Sequence, residues 1–525
     1  MAAPDLNFLE LMRWFWRQLT SMRTALVLLL MLALAAIPGS VIPQSDVDAA
    51  AVERWQDQHP QLTPIYEWLG LFGVFDSVWF AAIYLLLVIS LVGCIIPRTV
   101  KYWKGFRAAP PKAPRNLLRL QDSASYTTDV PAEEVLEQAT ALLRKRRRYR
   151  VVVTDEAVSA ERGHFREVGN LIFHLSVLVV LAGFAMGSLF GYKGGVIVPV
   201  GSGFSNNLAQ YDDFVPGSLM GIEDMEPFSF TVDDFDIEWL LSGPRKGMAQ
   251  HFVAHTNYQE TPGGEDKEYD LRVNHPLNIG GTSIFLIGHG YAPNITVRDG
   301  NGDIAYSGPT IFLPEDQATF TSFGVVKAPA AEPQQIGLEG LLYPTYLKVD
   351  GNPTSVLGDD RNPVLSMQAY VGDLGMESGE SQSVYVLDKD KAKLVKKEDG
   401  SMFRVDLQLC AKDAKKCASD TVKLPNGAGT VTFDGIQPWV RLQISKTPGT
   451  GIALTGVILA LLGLLGSLFI RPRRVWVRAR REDGVTVVEV AGLDRSGASE
   501  TKDEIVDIVT ALGGSPSSDG EEKQA

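Results

Sequence analysis

Four apolar blocks interrupt the chain at wide intervals, at residues 24–43, 78–96, 168–190 and 450–470, with long polar stretches between them. A helix of about 20 residues, at ~1.5 Å each, covers the ~30 Å of bilayer hydrocarbon. The pattern therefore predicts an integral membrane α-helical protein with four transmembrane helices. The first block shares with signal peptides a basic approach and the run Ala33-Leu34-Ala35. Its length, and its continuation through Pro38-Gly39-Ser40 without an obvious mature start, favour an uncleaved span. Ahead of it, within residues 1–23, Leu9, Met12, Trp16 and Leu19 fall near one helical face, as in a helix lying on a membrane surface.

The polar stretches orient the spans. Residues 44–77 hold several acids and the single arginine Arg54, whereas residues 97–167 hold Arg98, Lys101, Lys104, Arg107 and the run Arg144-Lys145-Arg146-Arg147-Arg148. Arg471, Arg473, Arg474, Arg478, Arg480 and Arg481 follow the fourth block. Basic loops stay on the cytoplasmic side. Residues 97–167 and 471–525 and both termini are thus expected in the cytoplasm of a cell membrane, and residues 44–77 and 191–449 outside. The second span is expected to stop at Pro97-Arg98. Behind it, Val130 to Arg147 reads as a helix with Val135, Leu136, Ala139, Leu142 and Leu143 inward, and Tyr149 to Val153 with Val158 to Arg162 reads as a hairpin.

Residues 191–449 show short alternating runs: Phe228 to Val232, Ser283 to Ile287, Ile295 to Arg298, Ser383 to Leu387, Phe403 to Leu409 and Thr430 to Phe433. Gly, Pro, Asn and Asp punctuate them. A large β-rich extracytoplasmic domain follows, an antiparallel sandwich or distorted barrel between spans three and four. Residues 476–490 read as a hairpin around Asp483-Gly484, and the tail beyond about residue 512 is too polar to bury a core.

Charge and motifs narrow the chemistry. A net charge of -13 excludes a general nucleic-acid binder. The sequence contains no Cys-x-x-Cys-His, no Gly-x-Ser-x-Gly, no phosphate-binding Walker loop and no His-Glu-x-x-His. Of three cysteines, Cys94 lies in a span and reads as a packed thiol. Cys410 and Cys417, in CAKDAKKC, are a disulfide candidate where bridges persist.

His174 is the one ionisable side chain between Glu167 and Phe190. A histidine facing lipid is costly, so it meets a partner, a cavity or a ligand. A neutral imidazole in a dry bundle suits the iron of haem as an axial ligand; an interhelical hydrogen bond is the competing explanation. His164 reads as a solvated residue at the mouth of the third span, and His275 and His289, beside Pro276 and Gly288/Gly290, read as turn residues. His251 and His255 share a strand face without a third metal ligand. Asp299-Gly300-Asn301-Gly302-Asp303 resembles the start of a calcium loop but lacks its closing glutamate, and reads as a hairpin turn.

The stretch GHFREVGNLIFHLSVLVVLAGFAMGSLFGYKG, Gly163 to Gly194, resembles the ResB (CcsB) family of cytochrome c biogenesis proteins. So do Val273-Asn274-His275-Pro276-Leu277, Leu286 to Pro293, and Gln382-Ser383-Val384-Tyr385, and the similarity runs from about Arg17 to Arg495. The resemblance implies a membrane subunit of a cytochrome c synthase, working with a ResC/CcsA-type membrane protein. Together the two would carry haem b as transient cargo across the lipid bilayer and support its covalent attachment to apocytochrome c. His174 would match the family's intramembrane histidine and ligate haem with a histidine of the partner. A scaffold that stabilises the partner without binding haem is the alternative.

Overall fold

The computed structural model describes residues 7–45, 49–146, 149–154, 156–243, 247–376, 383–409, 420–494 and 501–515. Its helices are α1 (Phe8–Leu19), α2 (Met22–Val41), α3 (Ala49–Gln58), α4 (Thr63–Trp68), α5 (Val78–Arg107), α6 (Ala132–Lys145), α7 (Phe165–Phe190), α8 (Thr450–Phe469) and α9 (Thr501–Ala511). Four of them, α2, α5, α7 and α8, are long and apolar enough to cross a membrane. The chain divides into two units, residues 1–183 with 451–525, and residues 184–450.

In the first unit α1 turns into α2 at Thr20-Ser21, and α5 packs against the bend. Ser90 Oγ donates to the Leu19 carbonyl at 2.5 Å, and the Cys94 thiol donates to that of Thr20 at 2.7 Å. Cys94 is thus a packed thiol. One expectation needs correction: α5 does not stop at Pro97 but continues to Arg107. Its 30 residues cover ~45 Å, more than the hydrocarbon, so the basic part projects as a helical stalk. Residues 44–77 are not simply a polar loop either, because Trp55, Tyr66 and Phe72 cluster there with ring centroids 4.5–5.9 Å apart.

The larger correction concerns the basic segments. Residues 122–162 and 473–511, expected as a helix, two separate small hairpins and a tail, join in one α/β domain, the helix and both hairpins being present as expected. Its antiparallel sheet runs Asp122–Thr128, Val485–Asp494, Arg473–Glu482, Ala157–Arg162, Arg150–Thr154. Helices α6 and α9 cover one face through Val135, Leu136, Ala139, Leu143, Ile505, Ile508 and Val509, over Val158, Val475, Val477, Val488 and Val490. Glu504, in the first turn of α9, is ion-paired with Arg146, Arg162 and Arg473 at 3.3–3.4 Å and accepts the Tyr149 hydroxyl at 2.7 Å. Arg473 and Arg478 are buried, and Arg478 pairs with Glu489 at 3.2 Å. These two arginines help hold the domain together.

The second unit is antiparallel β-structure in sheets of seven, six, four and two strands among the described residues. Two long strands, Thr282–Arg298 and Gly429–Lys446, pair along their lengths and bend through bulges between Leu286 and Gly288 and between Asn294 and Ile295. At one end Ile284, Leu286, Leu442 and Ile444 pack with Phe204, Phe228 and Phe230. At the other, Ile295, Val297, Val431 and Phe433 pack with Phe312, Leu338 and Leu365. One ribbon therefore serves two cores. The strand after α7, Tyr192–Pro199, pairs with the one before α8, and Tyr192 lies opposite Lys446. The expected strand at Ser383 to Leu387 is not one: these residues run without ladder pairing, Leu387 buried and Val384 and Val386 exposed.

Candidate functional site

The site is built on α7, whose buried positions are Gly169, Ser176 and Gly183, each seven residues apart. They face Ala453, Gly456 and Gly463, the buried positions of α8. The approach leaves no room for side chains. A Cβ on Gly463 would stand 2.5 Å from the Phe173 nitrogen, and one on Gly169 would stand 2.8 Å from the Gly463 carbonyl oxygen. Small residues repeated in this way let two membrane helices pack backbone to backbone. Beside the seam, Phe173, Val177, Val180, Val457, Leu461 and Leu464 line an apolar groove.

His174 is on the opposite side of α7. Five residues at ~100° each place it about 140° round the helix from Gly169. Asn170 is one turn earlier on the same side, and its amide donates to the Tyr102 hydroxyl of α5 at 3.0 Å. Arg98, one turn before Tyr102, is the charged group whose field reaches His174. The imidazole is half-buried, with the Phe173 ring edge-on at 5.4 Å, and neither ring nitrogen hydrogen-bonds to another described residue. The interhelical hydrogen bond that competed with a ligand role is absent among the described residues. What remains is a nitrogen in an apolar helix face, free to bind an external group.

His164, expected to be solvated, is instead half-buried, with ring centroids 4.4 Å from Phe165 and 5.5 Å from Phe106. Burial, and then the nearby Arg150 guanidinium, hold its pKa below the ordinary value.

Of the histidines of the second unit, His255 and His289 are tied into the fold by their side chains. His275 is an exposed turn residue after Asn274 at φ 64°, as expected. His289 is not. It sits within the strand Thr282–Arg298, beside a bulge, stacked on Phe320 at 4.5 Å and flanked by Phe235, Phe252 and Trp239 at 5.3–6.4 Å. Local Gly residues suggested a turn, but the long strand pairing overrides them. Burial pushes the His289 pKa down to about 4. The unfolded chain protonates this imidazole near ~6.5 and the folded chain does not until about 4. Its contribution to stability is therefore complete above ~6.5 and lost as the pH falls from there towards about 4. Near pH 5 the loss is about 2 kcal/mol, and His289→Phe is expected to remove it. Unfolding midpoints of the two proteins, measured at neutral and acid pH, check this; equal acid sensitivity would refute it.

His251 and His255 lie on the strand Ala249–Gln259, and His255 bridges two carboxylates, Asp270 at 2.8 Å and Asp236 at 3.1 Å. Sequence reasoning missed both acids, because they come from neighbouring strands of the sheet. No metal-holding group of three His, Cys, Asp or Glu side chains occurs among the described residues. The hydrogen bonds to Asp236 and then Asp270 raise the His255 pKa. This clamp stabilises the fold fully below ~6.5 and is lost as the pH rises through the raised folded value. Histidine-selective NMR of the whole protein is expected to show the His255 midpoint falling in Asp236→Asn; an unmoved midpoint would reject the clamp.

The DGNGD segment is a hairpin turn, as expected. The buried Asp299 carboxylate accepts the N–H groups of Asn301, Asp303 and Glu332 at 2.9–3.1 Å, which is capping rather than calcium chemistry. Cys410 and Cys417 lie outside the described residues.

A family model described as the ResB-like family matches residues 22–506 of this sequence. Among curated proteins, the cytochrome c biogenesis protein CcsB of Thermosynechococcus vestitus is 28% identical over 285 residues, which is 52% of this chain and 60% of that protein. The CcsB of Synechococcus elongatus is 30% identical over 281 residues, covering 52% and 58%. That of Microcystis aeruginosa is 25% identical over 305 residues, covering 56% and 63%. The chain thus spans about three-fifths of the length of these relatives.

Proposed function

The chain belongs to the ResB-like family, and from that premise we propose that it is a membrane subunit in cytochrome c biogenesis, handling haem together with a ResC/CcsA-type membrane protein. The relatives' names supply the process. The observation that supports this chain's share in it is His174, an imidazole without a hydrogen-bond partner among the described residues, on the face of α7 turned away from α8.

In this reading haem b is cargo. His174 would hold the haem iron through a ring nitrogen, sharing the site with a histidine of the ResC/CcsA-type protein. The apolar flank of α7 shields the porphyrin faces from water, and the propionates stay towards the polar boundary. The basic loops favour a cytoplasmic side for the α/β domain and both termini. The β-rich unit is then extracytoplasmic, where apocytochrome c receives its haem.

The reading is tested by co-expressing the chain with a ResC/CcsA-type protein and recording the absorption spectrum of the purified complex. A six-coordinate, low-spin haem spectrum is expected, with the pigment in proportion to the complex. A colourless complex of normal yield would overturn haem handling and leave the scaffold role.

A further inference from the structure

The segment following the strand Tyr192–Pro199 returns to the end of α7. The N–H groups of Gly217, Ser218 and Leu219 donate to the carbonyls of Gly191, Ser188 and Leu189 at 2.7, 3.3 and 2.8 Å. A helix cannot pair its own last carbonyls, so these three residues cap the span. Gly217 permits the approach, because a Cβ there would stand 2.7 Å from both the Leu189 and Gly191 carbonyl oxygens. The cap fixes this segment at the height where α7 leaves the hydrocarbon.

Its side chains match that height. Residues 214–222, FVPGSLMGI, contain no charge. Phe214 and Met220 pack into the core beneath, whereas Val215, Leu219 and Ile222 are 57, 62 and 68% exposed. Phe184 and Phe190, in the last turns of α7, are exposed too, so the apolar surface is continuous with the span. The main chain is provided for: Phe214 and Val215 pair with Gly194 and Lys193, and the N–H of Gly221 donates to the Asp224 carboxylate at 2.9 Å. Irregular backbone tolerates a lipid environment only when its polar groups are satisfied in this way. Lys446 is neutralised by Glu226 at 2.7 Å and also donates to the Asp224 carbonyl at 2.9 Å, closing the segment.

We propose that residues 214–222 form an apolar collar seated in the bilayer interface beside the end of α7, with Val215, Leu219 and Ile222 among phospholipid acyl chains. The collar sets the depth at which the β-rich unit meets the membrane.

The test uses the full chain in phospholipid nanodiscs, with Cys94, Cys410 and Cys417 replaced by serine and a nitroxide attached at Leu219→Cys or Ile222→Cys. Collision with oxygen, which concentrates in lipid, is expected to exceed collision with a water-soluble nickel chelate several-fold at both sites. Dominant nickel collision would mean water, and low access to both reagents would mean a protein cover; either result overturns the proposal. In the unaltered chain, a photoactivatable diazirine phospholipid is expected to label the peptide holding Val215 to Ile222. Absence of that label overturns the collar without reference to the cysteine variants. Gly217→Val, which breaks the cap, is expected to move both nitroxides towards the nickel reagent, and unchanged collision rates would refute the capping role.

Discussion

His174→Ala is expected to lower the haem retained per complex by at least about tenfold while leaving the yield of the chain unchanged. The reason is geometric. The imidazole hydrogen-bonds to no other described residue and faces away from the Gly169–Ser176–Gly183 seam, so its removal leaves the packing of α7 on α8 intact. On the proposed reading one iron ligand is lost, and added imidazole is expected to restore the six-coordinate spectrum. The scaffold alternative predicts the reverse: less complex, but the same haem in each. Measuring haem and protein on one preparation separates the two, and normal haem content in the alanine variant would remove His174 from the ligand set.

Gly463→Leu is expected to be the most disruptive single change in the spans. Its Cβ alone would stand 2.5 Å from the Phe173 nitrogen and 2.8 Å from the Gly169 oxygen, both backbone atoms that no rotamer change can move. The helices must separate, forfeiting the contacts along the whole seam, at a cost of about 3 kcal/mol or more. Gly105→Leu on α5 is the matched control, since nothing lies within 4 Å of a Cβ there. The expected result is early unfolding of the Gly463 variant in a detergent denaturation series, with the control at the parent midpoint. Coincident midpoints would show that the close approach of α7 and α8 does not hold the pair together.

The four spans, the β-rich region between the third and fourth, and the presence of a histidine within the third were legible because each rests on local sequence. About twenty consecutive apolar residues need no partner to be recognised, and a lone histidine stands out against them. Two of the misreadings came from single residues that usually break an element. Pro97 suggested a helix end, yet α5 continues through it among its neighbours. Gly288 and Gly290 suggested a turn, yet sixteen paired positions with the strand Gly429–Lys446 hold His289 in a ladder.

Sequence by itself thus determined that the chain crosses a membrane by four helices, that a β-rich region lies between the last two, and that one imidazole is set into the third. Burial of apolar runs in lipid is a property of each run alone. Tertiary structure decided what joins across distance. It paired Ala157–Arg162 with Arg473–Glu482 to make one domain from two separate basic segments, and it drew Glu504 to three arginines. It also put the glycine seam of α7 against α8, which turned His174 to the other side. Strand register and helix-facing side depend on partners hundreds of residues away, and no local pattern encodes which partner will be met.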